Sequence, residues 1–278
     1  MDYLAGTFPN LCRVEVIGKS AEGRKIKLLS ITSGGDNKPA IWIDGGLHAR
    51  EWISPASATY IQQQLVELRD NHEQLLQKYD WYILPVANPD GYEYTRNKDR
   101  LWRKSRHRYQ SCVGVDLNRN FGYQWKSSRG CRREDYSGPS PFSEPETRAI
   151  RDYILAHKNI KAYISLHSYS QMWLIPWGYT DEKPKDYYEI YLPAEKAVEA
   201  IKKVRGTEYL LGTPAELLYT SQGSSDDWAK GSAGIDYAYT IELPDTGDYG
   251  FVLPSSQIKP VGHELWTGIK AFAESLPL

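Results

Sequence analysis

The predicted fold is centred on one segment, Ile41-Trp42-Ile43-Asp44-Gly45-Gly46-Leu47-His48-Ala49-Arg50-Glu51-Trp52. Its apolar beginning predicts a buried strand, and its two glycines predict the end of that strand. His48 and Glu51 follow with two residues between them. Open α/β sheets carry their chemistry at the carboxyl ends of strands, and a histidine with a carboxylate is part of a zinc ligand set. A turn that holds the two side chains by chance explains this stretch equally well, because no third ligand is in view.

The composition bounds the class of protein. The chain has 278 residues, of which 41% are hydrophobic, and a formal net charge of −1. A chain of this length buries roughly 75% of its unfolded surface, and the lack of a linker sequence favours one domain over residues 1–278. The near-zero charge disfavours nucleic acid and anionic membranes as partners, and no apolar run approaches the ~18 residues of a membrane span. No secretory signal follows Met1, as is also true of a mature or recombinant chain.

Periodicity predicts strands that alternate with helices. We expect strands over 12–17, 25–31, 40–43, 80–84, 113–115, 161–166 and 237–243. We expect helices over 54–69, 143–157, 187–205 and 260–275, with an interruption at Pro193 and a loop over 33–37. This alternation predicts an α/β domain with helices on both faces of a mixed sheet.

Two of the six histidines differ from the rest because each ends an apolar strand at a turn. They are His48 and His167, and the sheet edge would bring them together. With Glu51 they form a set of two histidines and one carboxylate, which leaves a fourth zinc position for a water of pKa about 7. The alternative is a pair of core histidines with satisfied hydrogen bonds. The other four are predicted to be surface or structural residues: His72, His107, His157 and His263.

A third strand ends at Glu242, where a carboxylate could move a proton from water to a leaving amine. The alternative is a strand-end glutamate on the surface.

Polar residues suited to substrate binding follow the short segment 113–115. Asn118 and Arg119 could grip a carboxylate, since arginine does so with two parallel hydrogen bonds. Arg103 lies in the basic stretch 100–106, which by itself favours a solvated basic face. An enzyme with a metal site of this kind would instead use Arg103 to stabilise an oxyanion.

The three cysteines contain no Cys-x-x-Cys pair, which disfavours a thiolate metal site. A disulfide between Cys112 and Cys131 would contribute roughly 3 kcal/mol and would imply an oxidising compartment. Two free thiols are the alternative. Cys12 is predicted to pack as a small buried side chain.

Five motifs in register carry a family resemblance. They are His48-Ala49-Arg50-Glu51-Trp52, Leu101-Trp102-Arg103-Lys104, Val115-Asp116-Leu117-Asn118-Arg119-Asn120, Leu166-His167-Ser168-Tyr169 and Glu242-Leu243-Pro244-Asp245-Thr246-Gly247. Together they resemble the zinc metallocarboxypeptidases of the pancreatic A/B type, and the resemblance covers nearly the whole chain. It implies a mixed, eight-stranded, twisted sheet with helices on both faces.

The resemblance also implies roles for individual residues. One Zn²⁺ would be bound by His48, Glu51 and His167. Glu242 would be the general base and acid, and Arg103 would stabilise the oxyanion of the tetrahedral intermediate. The implied substrate-binding residues are Asn118 and Arg119, on the terminal carboxylate, and Tyr219, Arg50, Arg100, Ser168, Tyr169 and Asp226. The implied disulfide is Cys112–Cys131.

Partners and location are implied in the same way. We expect a secreted, extracellular monomer, without signal peptide or pro-segment in this chain, that acts on peptide or protein C-termini. A pro-segment or a proteinaceous inhibitor would be a further partner.

Asp226 decides the expected specificity. In this family the corresponding residue lies at the bottom of the pocket for the terminal side chain, and an acid there accompanies B-type release of Lys or Arg. An enclosed carboxylate needs a cationic partner, which such a substrate supplies. If Ser225 or Asp226 merely caps the following helix, A-type release of aromatic or aliphatic residues is the alternative. A non-catalytic relative that binds peptide C-termini is the more remote one.

The chain departs from the family pattern at two further points. It is expected to begin near the 12–31 hairpin, without the helix that usually opens the catalytic domain. Pro244 replaces an arginine that is usual after the Glu-Leu pair.

Overall fold

The apolar stretch 41–43 lies in the middle of an eight-stranded sheet. A computed structural model describes residues 1–35, 38–128 and 130–278. Its strands are β1 (Cys12–Lys19), β2 (Lys25–Ile31), β3 (Ala40–Gly45), β4 (Asp80–Leu84), β5 (Ile160–Ser168), β6 (Met172–Leu174), β7 (Leu210–Gly212) and β8 (Tyr237–Leu243). Part of the predicted loop over 33–37, at Asp36 and Asn37, lies outside the described residues.

The helices that the structure describes are α1 (Asp2–Thr7), α2 (Ile53–Val66), α3 (Glu73–Lys78), α4 (Pro89–Asn97), α5 (Pro145–Ala156), α6 (Tyr187–Arg205), α7 (Pro214–Leu217), α8 (Ser225–Gly231) and α9 (Ile258–Ser275). Four predicted helices, over 54–69, 143–157, 187–205 and 260–275, correspond to α2, α5, α6 and α9. None of these described helices combines the length and the apolar character needed to cross a bilayer.

The sheet is mixed, as predicted, and its centre is parallel. The strand order is β1-β2-β4-β3-β5-β8-β6-β7. Strand β3 runs parallel to β4 and β5, and β5 runs parallel to β8. The outer strands β1, β2 and β6 introduce antiparallel pairs. Because β3, β5 and β8 point the same way, their carboxyl ends meet at one edge of the sheet.

Helices cover both faces, and the alternation of side chains along each strand supplies both cores. On β3, Ile41 and Ile43 pack in the core beneath α2, α6 and α9, whereas Ala40 and Trp42 pack in the opposite core, with α5 and α8. Strand β5 divides its side chains in the same way. The predicted fold class is therefore confirmed.

Three predicted elements are wrong. Helix α6 continues through Pro193, because its buried face of Ile190, Ala194 and Ala197 packs in the core and outweighs a proline cost of about 3 kcal/mol. Residues 113–115 are not a strand, since Gly114 has a φ of +86° that breaks an extended run. A helix, α1, does precede the hairpin.

Strands β6 and β7 and the short helices α3, α4 and α7 were not predicted. Each of these strands has three residues, which is too short for an alternating pattern to register.

Candidate active site

Three strand ends form the candidate site. Strand β3 ends at Gly45, just before His48 and Glu51, while β5 carries His167 and β8 carries Glu242 near their last residues. His167 and Glu242 are direct register partners. The parallel centre of the sheet thus brings together residues that are nearly two hundred positions apart in the sequence.

Two glycines and one serine shape the turn after β3. Gly46 has a φ of +67°, which favours glycine, and its N–H donates to Ser54 Oγ over 2.9 Å. Ser54 in turn donates to the carbonyl of Leu166 over 2.5 Å. A side chain at Gly45 would place its Cβ 2.8 Å from Ser54 Oγ. Close packing of the turn against the end of β5 therefore requires small residues here, and it fixes the spacing between His48 and His167.

His48, Glu51 and His167 converge as a set of candidate metal ligands. Their ligand atoms lie within 4.8 Å of one another, and all three side chains are buried. His48 Nδ1 lies 2.8 Å from Glu51 Oε1, and His167 Nδ1 lies 3.0 Å from Glu51 Oε2 and 3.0 Å from His48 Nδ1. Two imidazole nitrogens and a carboxylate oxygen that face one point are a donor set that suits zinc.

The charges of this set depend on one another. Burial disfavours the Glu51 carboxylate, but the charges of His48 and His167 outweigh burial and hold its pKa below the ordinary value. Burial likewise disfavours protonated His167, yet Glu51 raises its pKa to about 9.

Asp116 connects the ligand set to Arg103. Its Oδ1 lies 2.9 Å from His48 Nε2, and its Oδ2 accepts from Arg103 Nε and Nη2 over 3.0 and 2.9 Å. Burial opposes the Asp116 charge, but the Arg103 guanidinium holds the pKa of Asp116 well below its usual range. The same ion pair raises the pKa of Arg103. The remaining nitrogen of Arg103, Nη1, lies 3.9 Å from Glu51 Oε1.

A cavity of about 270 Å³ opens over this group. Most of the predicted site residues line it: His48, Glu51, Arg103, Asn118, Arg119, Ser168, Tyr169, Tyr219, Asp226 and Glu242. Tyr219 is 62% exposed, in keeping with its place outside any helix or strand at the mouth of the cavity.

Backbone contacts orient Asn118 and Arg119. Asn118 Oδ1 accepts from the N–H of Ser225 over 2.9 Å. This contact fixes the orientation of the side-chain amide, whose NH₂ group is a hydrogen-bond donor. Arg119 Nη1 donates to the carbonyl of Asn118 over 2.8 Å. Both residues line the cavity, and adjacent donors of this kind are the groups that bind a carboxylate.

Glu242 and Asp226 differ from the other acids of the site, because neither carboxylate has a hydrogen-bond partner within residues 1–35, 38–128 and 130–278. Burial, and next the charge of Glu51, raise the pKa of Glu242 to about 7. Asp226 is only 2% exposed, lies in the first turn of α8 and lines the cavity. The next residue, Asp227, accepts instead from the backbone N–H groups of Gly178 and Tyr179.

Arg50 and Arg100 do not line the cavity but pack behind one of its walls. The Arg50 guanidinium lies 4.1 Å from the ring centre of Phe251, and Arg100 Nη2 donates to the carbonyl of Phe251 over 2.5 Å. Phe251 itself lines the cavity. Asp245, next to Pro244, accepts from the N–H groups of Gly247, Tyr249 and Gly250 and so holds the loop that presents Phe251.

Sequence reasoning missed Asp116 and Phe251. Asp116 belongs to the motif Val115-Asp116-Leu117-Asn118-Arg119-Asn120, and its position two residues before Asn118 was the available signal. Phe251 had no local signal, because only the folded loop turns it toward the cavity.

Cys112 and Cys131 are joined by a disulfide, which confirms the predicted pairing, and Cys12 is buried and free. None of the other four histidines lines the cavity. His72 packs against Trp266, His107 lies 3.3 Å from Glu144, His157 stacks on Tyr153 and His263 is exposed.

The sheet, the ligand set and the cavity together define the metallocarboxypeptidase class. The zinc carboxypeptidase model of the M14 peptidases matches residues 1–268, and the chain belongs to this family. Carboxypeptidase B of Astacus astacus is 47% identical over 98% of this chain and 92% of its own length. Carboxypeptidase A2 of Mus musculus is 42% identical over 99% of this chain and 67% of its own length.

Solved structures agree with this assignment. Bovine thrombin-activatable fibrinolysis inhibitor, in complex with tick carboxypeptidase inhibitor, superposes with a TM-score of 0.93 at 40% identity, over 99% of this chain and 93% of that one. Carboxypeptidase A from Helicoverpa armigera gives a TM-score of 0.92 at 36% identity, over 98% of this chain and 70% of that one. The predicted family is confirmed, and both B-type and A-type relatives occur.

Proposed function

We propose that this metallocarboxypeptidase is a zinc-dependent exopeptidase that releases C-terminal Lys or Arg. The observation that carries the specificity is Asp226, a buried carboxylate that lines the cavity without a protein partner among the described residues. A charge in such a place is costly unless a cation pairs with it, and the side chain of a basic C-terminal residue would supply that cation.

His48, Glu51 and His167 would hold the zinc ion, one per chain. Zinc in such a site supplies Lewis-acid activation of a carbonyl and of water. Glu242 would accept a proton from the attacking water and deliver it to the leaving amine, a task that suits a carboxylate that lines the cavity without a hydrogen-bond partner among the described residues. Arg103, fixed by Asp116 through two of its nitrogens, would direct its remaining nitrogen at the developing oxyanion.

Asn118 and Arg119 would bind the terminal carboxylate of the substrate. This contact would restrict cleavage to the last peptide bond, because an internal residue has no free carboxylate to offer. Tyr219 would close over the bound residue, and Ser168, Tyr169, Arg50 and Arg100 would contact or support the preceding part of the peptide.

The wider setting follows from the same proposal. Residues 1–278 would act as one catalytic domain, monomeric and secreted, in keeping with its disulfide. A proteinaceous inhibitor would be able to occupy the cleft, as the solved complex of the bovine relative suggests. Inhibition by such a protein that is not relieved by raising the peptide concentration would contradict binding in the cleft.

A paired turnover assay tests the proposal. Two peptides that differ only in a C-terminal Arg or Phe are compared with and without a zinc chelator. Cleavage that is selective for Arg and abolished by the chelator is the expected result. Chelator-sensitive cleavage that prefers Phe would replace B-type with A-type specificity, and peptide binding without turnover by the zinc-loaded protein would favour a non-catalytic role.

Substitution of Asp226 isolates the cause of the specificity. Asp226→Asn and Asp226→Leu are expected to lower the Arg/Phe ratio of kcat/KM, since loss of a desolvated charge pair costs about 2–5 kcal/mol, or roughly 30-fold to several-thousand-fold. Asp181→Asn, at an exposed aspartate, is the control. An unchanged ratio in both Asp226 variants would exclude Asp226 from substrate selection.

A further inference from the structure

Behind the candidate ligand His167 lies a buried polar pair that the proposed mechanism does not use. Ser165 and Asp44 are register partners on neighbouring strands β5 and β3. Both residues are 0% exposed, although they are polar or charged. Because side chains alternate along a strand, Ser165 and His167 point to the same face, and Asp44 points to that face from β3.

The contacts form one continuous chain. His167 Nε2 lies 3.1 Å from Ser165 Oγ, and Ser165 Oγ donates to Asp44 Oδ1 over 2.7 Å. The other carboxylate oxygen of Asp44 accepts from Trp42 Nε1 over 2.7 Å. Both oxygens of Asp44 are thus held, and the hydroxyl of Ser165 has a fixed direction.

The directions of these hydrogen bonds agree with metal binding through Nδ1. His167 Nδ1 faces Glu51 and His48, so a neutral ligand imidazole carries its proton on Nε2. Nε2 then donates to Ser165, and Ser165 donates to Asp44. Asn118 Nδ2 also lies near Nε2, at 3.5 Å, but it is a donor itself and cannot accept that proton.

We propose that Asp44 acts on His167 through the Ser165 hydroxyl, as a positioning residue that orients the imidazole and increases its basicity toward zinc. The inference rests on the proposed function, since it takes His167 to be a zinc ligand. Each ligand histidine would then be supported by a carboxylate: His48 directly by Asp116 over 2.9 Å, and His167 through one intervening hydroxyl. Mutation of a residue that hydrogen-bonds to a ligand histidine typically lowers metal affinity or activity 10–100-fold.

Zinc affinity and the visible spectrum of the Co²⁺ protein test this relay, in which Asp44 acts on His167 through the Ser165 hydroxyl. The zinc affinity of the wild-type chain, Ser165→Ala, Asp44→Asn and the double variant is measured by competition with a chelator. We expect each single variant to bind zinc about tenfold more weakly, at the low end of the usual range because the contact is indirect. We expect the double variant to be no weaker than the weaker single variant, since both changes break the same relay. Co²⁺-substituted protein should show the same shift of its visible d–d bands in both single variants.

Ser57→Ala is the matched control. Ser57 is also 0% exposed, lies on α2, and its hydroxyl has no partner in the described part of the chain. Its zinc affinity and Co²⁺ spectrum should equal those of the wild type.

The outcomes separate the inference from the proposed function. Zinc affinity of Ser165→Ala within twofold of wild type, an equal loss in Ser57→Ala, or additive losses in the double variant would each overturn the relay while zinc binding itself stands. A wild-type chain that binds no zinc would overturn the proposed function and the relay with it.

Discussion

At the scale of single residues, the acids of the cavity differ in how they are held. Asp116 and Glu51 are fixed by histidine or arginine partners, which keeps them ionised and immobile. Glu242 has no such partner within the described residues, and burial together with Glu51 raises its pKa to about 7. A carboxylate that is free of fixed partners and shares a cavity with the ligand set is the group best suited to move protons.

We expect Glu242→Gln to retain zinc and to lose roughly 10²–10⁴-fold in kcat, because the amide cannot take up a proton. Metal analysis and steady-state kinetics on a C-terminal Arg peptide would measure both effects. Glu182→Gln, at an exposed glutamate, serves as the comparison. Full activity of the Glu242 variant would remove this residue from the mechanism.

At the scale of elements, the start of helix α5 carries two buried acids with different surroundings. Glu144 accepts from Ser105 over 2.8 Å and also from Tyr109, which ties the segment after Arg103 to the helix. Glu146 accepts only from the N–H of Ala21 through Oε1, and its Oε2 is buried without a partner among the described residues. Burial, and to a smaller extent Glu144, raise the pKa of Glu146 to about 7.

The pKa of Glu146 makes stability depend on pH. Between its ordinary value of 4.5 and about 7, the folded chain keeps a proton that the unfolded chain has lost, so the free energy of unfolding falls as pH rises. Above pH 7 the cost is roughly 3 kcal/mol. Glu146→Gln should therefore stabilise the protein at pH 8 far more than at pH 4.5, as measured by denaturant unfolding.

Glu199→Gln, at an exposed position of α6, is the control for Glu146→Gln and should show no such pH dependence. Equal effects of Glu146→Gln at both pH values would contradict a raised pKa in the folded state.

The Cys112–Cys131 disulfide closes a short loop next to the cavity. Lys104, the neighbour of Arg103, donates to the carbonyl of Cys131 over 2.9 Å. The sequence separation of 19 residues predicts that the double variant Cys112→Ser/Cys131→Ser loses about 3 kcal/mol of unfolding free energy. Reductant should destabilise the wild type by a similar amount and leave the double variant unchanged; a double variant as stable as the wild type would show that the loop needs no cross-link.

At the scale of the whole molecule, the candidate ligands join the two central parallel strands β3 and β5. Because the ligand positions exist only when these strands are paired, zinc would bind the folded chain and not the unfolded one. Binding of this kind adds RT ln(1 + [L]/Kd) to the free energy of unfolding, or about 2.7 kcal/mol at a hundredfold excess over Kd.

Chelation should therefore lower the Tm by about 5 °C relative to protein held at that zinc excess, given the unfolding entropy expected for this chain length. Thermal unfolding at graded zinc concentrations would measure the shift. His167→Ala should remove the dependence on zinc. A wild-type Tm that does not change with zinc concentration would contradict a metal site in the folded state.

Local sequence patterns were enough to predict the class of the protein. The apolar runs before His48, His167 and Glu242 predicted three strand ends, because strand formation and turn chemistry depend on neighbouring residues. The motifs at these ends carried enough local pattern to indicate a zinc carboxypeptidase, and the fold and family comparisons confirm that class.

Contacts between side chains that are distant in the sequence became visible only in the folded chain. Asp44 and Ser165 are 121 positions apart, and Asp116 lies 68 positions from His48, so no local pattern could pair them. In the folded chain Asp226 lines the cavity. Helix α6 continues through Pro193, although proline disfavours the interior of a helix. Strand register and core packing determine such contacts, and both are properties of the whole folded chain rather than of any segment.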